Sequence, residues 1–205
     1  MRDRDKLGHL DLESLEIHIR SSMHHMGAMM LEKLLNSDSG DYRGRTLPCD
    51  KGDVFEFKEY RDKALLTVLG LVTVKRAYYY DHGCKRGWCP KDTALDIRGS
   101  SFSPGVRRMM GRVGAYRPFG LGHEDIKQMA GIGVDTKEIE RVSHQLGQQV
   151  EGFYQREAGC RTVIGQRLKQ SGMHWTVRGA NNIIALRCCI LSNRWEDFWE
   201  YRACA

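Results

Sequence analysis

Residues 157–189, EAGCRTVIGQRLKQSGMHWTVRGANNIIALRCC, hold the densest run of chemically unusual side chains in this 205-residue sequence. One carboxylate, Glu157, opens the run, and no Asp or Glu follows until Glu196. Between them stand Arg161, Arg167, Lys169, Arg178, Arg187 and Arg194. An acid-free basic stretch suits a polyanion, because each Lys or Arg that meets a phosphate releases a counterion. Trp175 adds a ring for base stacking, and Gln166, Gln170, Asn181 and Asn182 add donors for phosphates and base edges. A solvated basic face on two ordinary helices would have the same composition. A second acid-free segment, residues 98–117, carries Arg98, Arg107, Arg108, Arg112 and Arg117.

Another chemistry is suggested by Asp81-His82-Gly83-Cys84-Lys85-Arg86-Gly87-Trp88-Cys89-Pro90. Two thiols after a hairpin, Cys84 and Cys89, are the kind of pair that closes a small zinc knuckle, since thiolate ligation holds a loop with little core of its own. Cys49, Asp81 and His82 are available to complete a ligand set, but the spacing is not that of a standard zinc module. The loop is therefore expected to be a degenerate, metal-free knuckle. His18, His24 and His25 share one predicted helix, yet no matching Cys or carboxylate pattern accompanies them, and they read as polar-face residues.

The elements that must position these groups follow from periodicity. Leu12, Leu15, Ile19, Met23, Met26, Met30 and Leu34 recur at three- and four-residue steps, which predicts a helix from about Leu10 to Leu35 with this stripe in the core. From Val54 to Tyr80 the period falls to two, predicting three strands, at 54–60, 66–69 and 72–78, the last two joined by a turn at Gly70 and Leu71. Ser103-Pro104-Gly105 opens another helix, with Pro suited to a first turn. Pro118, Gly120 and Gly122 end it. Residues 123–130 then read as a short helix, 131–134 as a turn, and 136–146 as a second helix capped by Asp135 or Thr136. That is the outline of a helix-turn-helix, with Lys137, Glu138 and Arg141 at the start of the second helix. The acids Glu138 and Glu140 weaken phosphate contact there.

Composition supports a globular chain that meets an acidic partner. Charged residues make up 28%, hydrophobic residues 41%, and the net charge is +6. Seven cysteines at irregular spacing argue against a disulfide framework and for a reducing cytoplasm. The charged opening MRDRDKLGHLDLE lacks the apolar core of a secretory leader, and no apolar run approaches a membrane span.

The string GQRLKQSGMHWTVRGANNIIALRCC, followed by RWEDFW, resembles the C-terminal end of bacterial insertion-sequence transposases of the Kra type. DYRGRTLPC, YRDKALLTVLGLVTVKRAYYY and WCPKD resemble the family's N-terminal region. The resemblance implies that Glu157 is the last acid of a DDE triad on an RNase H-like core, served by Mg2+ or Mn2+ in the family. It also implies an extra cysteine three residues before Cys84, where this chain has Asp81. The two preceding aspartates of the triad belong to a core for which the eleven residues GQQVEGFYQRE, ending at Glu157, leave no room. Two-metal phosphoryl transfer needs several converging carboxylates, and one Glu cannot hold it. An internally deleted transposase without a working metal pair is the expectation.

Together these readings predict an α+β protein: an N-terminal helix, a small antiparallel sheet with a knuckle-like loop, a helix-turn-helix and basic C-terminal helices. The expected divisions are 1–97, 98–150 and 151–205. The expected partner is DNA at element ends, through Arg107, Arg108, Arg112, Lys137, Arg141, Arg161, Arg167, Lys169 and Arg178. A second copy, or a full-length transposase dampened through a shared N-terminal helix, is the alternative partner. An active enzyme borrowing acids in trans is the remaining one. The deletion is expected to leave Ile183, Ile184, Leu186 and Trp195 in need of a new core.

Overall fold

The period-two run beginning at Val54 folds into one long strand, not two short ones. In the computed structural model, which describes residues 11–49, 54–155 and 176–204, β2 spans Val54–Thr67 and β3 spans Gly70–Asp81. They pair antiparallel from Glu56↔Tyr80 to Thr67↔Gly70, with a bulge between Phe57 and Glu59. Residues 61–65, which the alternation leaves between two strands, instead pair from Arg61↔Arg76 to Leu65↔Val72, with Arg61 and Asp62 on exposed positions and Leu65 buried. The turn falls at Val68 and Leu69, two residues earlier than expected. The Thr67 hydroxyl donates to Gly70 O at 2.7 Å and accepts from Leu69 N–H at 3.2 Å, and Gly70 takes φ +130°. Two short strands flank this hairpin, β1 (Thr46–Pro48) on β2 and β4 (Arg86–Trp88) on β3, giving the order β1-β2-β3-β4. Three residues are too few for a period to show.

This sheet and α1 (Leu12–Leu35) belong to the first of two units, residues 1–91. The second half of α1 lies along β3. Glu32 accepts from Thr73 N–H at 2.7 Å, and Asn36 donates to Thr73 O and accepts from Lys75 N–H. These side chains occupy a strand edge that would otherwise present open donors and acceptors. Ala28 is buried against the sheet and Gly27 faces Leu69. The stripe expected in the core, by contrast, points to water: Leu12, Leu15, Ile19, Met23, Met26, Met30 and Leu34 are all exposed. Tyr79, fully buried, centres the sheet's own core among Tyr42 and Phe57, and its hydroxyl donates to Gly44 O at 3.0 Å. A one-turn helix, α2 (Pro90–Ala94), begins at the end of this unit. Its buried Lys91 donates to Leu35 O and to Asp38 at 2.7 Å.

Residues 92–205 form the second unit, helical among its described residues. Ser103 accepts from Val106 N–H at 3.3 Å and Pro104 follows, so α3 runs Pro104–Tyr116. α4 (Phe119–Ala130) starts directly after Pro118, four residues before the expected start. Gly120 and Gly122 were read as breakers, yet they sit in its first turns, where Gly122 lets Val113 approach. Gly131 ends α4 in the left-handed conformation at φ +69°. Asp135 then accepts from Lys137 N–H at 2.8 Å as α5 (Thr136–Gln155) begins. α6 (Val177–Leu191) opens on Thr176, which accepts from Gly179 N–H at 3.1 Å, and α7 (Trp195–Cys204) closes the described chain.

The core of this unit gathers Ile139, Val142, Leu146 and Val150 of α5 with Val106 and Met110 of α3, Ile183 and Leu186 of α6, and Trp195 and Phe198 of α7. The tail residues Ile183, Leu186 and Trp195 have thus found a core in this unit. Cys188 and Cys189 are buried small residues of the same core. Two glycines set the spacing. A Cβ on Gly111 would lie 2.7 Å from Leu146 Cδ1, and one on Gly147 would lie 2.2 Å from the Asn182 carbonyl oxygen. α5 and α6 therefore touch backbone to backbone.

Candidate functional site

Two places in the described structure gather chemistry. The first is the end of the sheet where β3 finishes. Cys49 follows β1, Asp81 is the last residue of β3, and Cys84 lies in the turn before β4. One ligand atom from each lies within 4.8 Å of the other two. The local sequence explains the arrangement. Asp81 is 1% exposed, and its Oδ1 accepts from Gly83 N–H at 2.8 Å and Cys84 N–H at 3.1 Å, folding the turn back on itself. Lys85 takes φ +51° to bring the chain into β4. The Asp81 carboxyl is held below its ordinary range, first by the Cys84 N–H. Burial, and then Asp81 beside it, pushes the Cys84 thiol up to about 11. Asp81 Oδ2 is buried with no hydrogen-bond partner.

Two thiols and a carboxylate are ligands of the zinc class. Around a tetrahedral ion with bonds of about 2.3 Å they would stand about 3.8 Å apart, so a contraction of at most about 1 Å would close the set and leave one position open. Of the residues singled out in sequence, the structure therefore assembles Cys84 with Cys49 and Asp81, rather than with Cys89. Cys89 is a buried thiol outside that cluster, and the His82 ring stands edge-on to Tyr80 at 5.0 Å. His18, His24 and His25 join no such group among the described residues.

The second place is the three-helix arrangement of α3, α4 and α5. α3 meets α5 where Gly114 faces Ser143, whose hydroxyl donates to Met110 O at 3.2 Å. His123 of α4 hydrogen-bonds Val134 O, pinning the turn between α4 and α5. The start of α5 is left in water, with Lys137 and Arg141 exposed. Arg141 is not a bare cation: it bonds Glu138 at 2.5 Å and Gln145 at 3.3 Å. Lys137 has no side-chain partner among the described residues. Gly179 lies against the His144 ring, so Arg178, exposed in the first turn of α6, stands about one turn along α5 from Arg141.

The α3 arginines divide. Arg112 is exposed with no partner among the described residues. Arg108 pairs with Glu196 of α7 in a largely exposed contact. Arg107, only 7% exposed, is directed inward, where its Nη2 meets Asp96 Oδ2 at 2.9 Å and the Asp96 carbonyl. Arg202 of α7 grips the same carboxylate at 2.8 and 2.9 Å. Burial, the largest influence, lowers the Arg107 pKa. Arg107 is a structural cation rather than a surface one. Sequence reasoning missed this clamp because its partners are 11 and 106 residues from Asp96. One local signal was present: Asp96 takes φ +50°, a conformation Asp tolerates better than most residues. Glu157, Arg161, Arg167 and Lys169 lie outside the described residues.

No protein-family model matches the chain, and no curated protein matches it. Among the described residues, no helix is long and apolar enough to cross a membrane.

Proposed function

We propose that this protein is a transposase-derived DNA-binding protein that does not catalyse strand transfer by itself. The observation that carries the reading is the α3–α4–α5 arrangement. Its last two helices are joined by a short turn with a left-handed glycine, and the second begins on an Asp cap with Lys137, Glu140 and Arg141 on an exposed face. That geometry is what a helix needs to enter a major groove by its N-terminal end. Arg112, Lys137 and Arg178 supply phosphate contacts. Arg108 and Arg141 join them by exchanging exposed carboxylate partners for phosphate, at small cost because surface ion pairs contribute little.

Three carboxylates of this unit are committed to structure. Asp96 is clamped by two arginines, Asp125 pairs with Arg117 at 3.1 Å, and Asp135 caps α5. An acid already engaged in this way is poorly placed to hold one of two catalytic cations.

The test is fluorescence anisotropy with the full chain, a labelled duplex carrying the element end, and a scrambled duplex, across a salt series. Tighter binding to the element end, weakening steeply with salt, is expected. Lys137→Ala and Arg178→Ala should each reduce the salt slope by about one ion. Equal affinity for the two duplexes, or no binding at low salt, would defeat the proposal.

A further inference from the structure

The stripe on α1 is the largest unexplained feature of the first unit. Leu12, Leu15, Ile19, Met23, Met26, Met30 and Leu34 follow one another at steps of 3, 4, 4, 3, 4 and 4. That is an eleven-residue repeat, which keeps a stripe nearly straight along a helix of about 3.6 residues per turn. Its members are exposed, from 42% at Leu15 to 71% at Leu34. The side that meets the sheet, Gly27, Ala28, Leu31, Glu32 and Leu35, is the opposite one. α1 is therefore apolar on two faces, and only one is used within the unit.

The first half of the helix is more exposed still. From Leu12 to Met23 only Ser14 is less than exposed, so three turns stand in water. An isolated helix of that length is marginal, because nucleation is costly and few bonds repay it. The stripe offers on the order of 800 Å2 of apolar surface, about what one partner contributes to a standard interface.

We infer that the occupant of this face is α1 of a second copy, laid antiparallel. The spacing reads nearly the same in both directions about Met23. Antiparallel pairing sets Leu12 on Leu34, Leu15 on Met30, Ile19 on Met26, and Met23 on its own counterpart. A twofold axis requires this reciprocity. Charge selects the same direction. Asp11, Glu13 and Glu16 lie at the start of the helix and Lys33 in its last turn. Antiparallel pairing brings acids toward Lys33 and opposes the helix dipoles, whereas parallel pairing sets acids beside acids. It also lays the unsupported half of each helix on the sheet-backed half of the other. This pairing does not rest on the DNA reading.

Sedimentation equilibrium of the full chain should show a dimer, and Ile19→Glu should weaken it ~30-fold or more. The double variant Ile19→Glu/Met26→Lys should recover dimerisation, because only the antiparallel register places positions 19 and 26 together. Circular dichroism at high concentration checks that each variant retains its sheet and its second-unit helices. Under mild oxidation, Met23→Cys should cross-link two copies above the wild-type background and Leu12→Cys should not. A monomeric wild-type chain at tens of micromolar would overturn the inference, whether the stripe stays in water or covers itself within one chain. So would cross-linking of Leu12→Cys as efficient as that of Met23→Cys, or failure of the double variant to recover.

Discussion

Gly147 and Gly152 lie five residues apart on α5, and replacing each by Ala should change stability in opposite directions. The intrinsic term is shared: Ala in a helix interior is favoured over Gly by roughly 0.5–1 kcal/mol. At Gly152 a Cβ would meet nothing within 4 Å, so the full gain should appear. At Gly147 it would lie 2.2 Å from the Asn182 oxygen, 2.6 Å from its carbonyl carbon and 2.8 Å from its Cα. These are backbone atoms, which cannot rotate away. Restoring ordinary contact requires α6 to move about 1 Å while Ile183 and Leu186 remain packed below it. Strain of that kind in a filled core costs about 1–3 kcal/mol, sometimes more. Because the intrinsic term cancels between them, the two variants should differ by that strain, roughly 1–3 kcal/mol. At about 2–4 °C per kcal/mol for a chain of this size, the gap is on the order of 2–12 °C in melting temperature. Thermal and urea unfolding followed by helical ellipticity would measure it. Gly147→Ala should also lower DNA affinity, because α6 carries Arg178. If Gly147→Ala proved as stable as Gly152→Ala, α5 and α6 would not approach as described, and the placement of Arg178 beside α5 would fail with it.

Three further outcomes are expected. Asp96→Asn should destabilise the chain by about 1–3 kcal/mol in urea unfolding, because the buried Arg107 loses its charged partner while the half-exposed amide put in its place and the backbone carbonyl still accept hydrogen bonds; no measurable loss would refute the clamp. The Asp38 carboxyl is held below its ordinary range, first by the Lys91 hydrogen bond, so the native state binds fewer protons there than the unfolded one. That stabilisation is present above the ordinary Asp pKa of about 4 and lost as pH falls through the lower native value. The urea-midpoint gap between wild type and Asp38→Asn should accordingly close below about pH 4, and a constant gap down to pH 3 would contradict it. Cobalt(II) titration tests whether the corner at the sheet's end is the metal-free loop expected from its spacing: a metal held by Cys49, Asp81 and Cys84 would give thiolate-to-cobalt absorption that saturates at one equivalent, survives Cys89→Ser, and disappears in Cys49→Ser and Cys84→Ser. Absence of that absorption in the reduced wild-type chain would leave the three groups a hydrogen-bonded cluster only.

Periodicity alone placed α1 within two residues of its start, fixed the α+β class, and located the α4–turn–α5 unit with its Asp135 cap. These are local signals: apolar spacing, a glycine after a helix and an oxygen before one act within a few residues. The same rules failed where distant partners decide. Gly120 and Gly122 read as breakers, yet they sit in the first turns of a helix, where Gly122 admits Val113 of α3. Residues 61–65 read as a break between two strands, yet β3 pairs with all five. The ligand corner was only partly legible: Asp81 and Cys84 are neighbours in sequence, whereas Cys49 arrives through β1, a strand too short to announce itself. The basic residues show the limit most clearly. Arg107, Arg108 and Arg112 are equivalent in composition, but one turn of helix separates a cation clamped in the core from one facing water. The apolar stripe of α1 carries the same lesson. Spacing determines that seven side chains share a face, but only the packing of Ala28 and Glu32 onto β3 decides that this face is the one left outside.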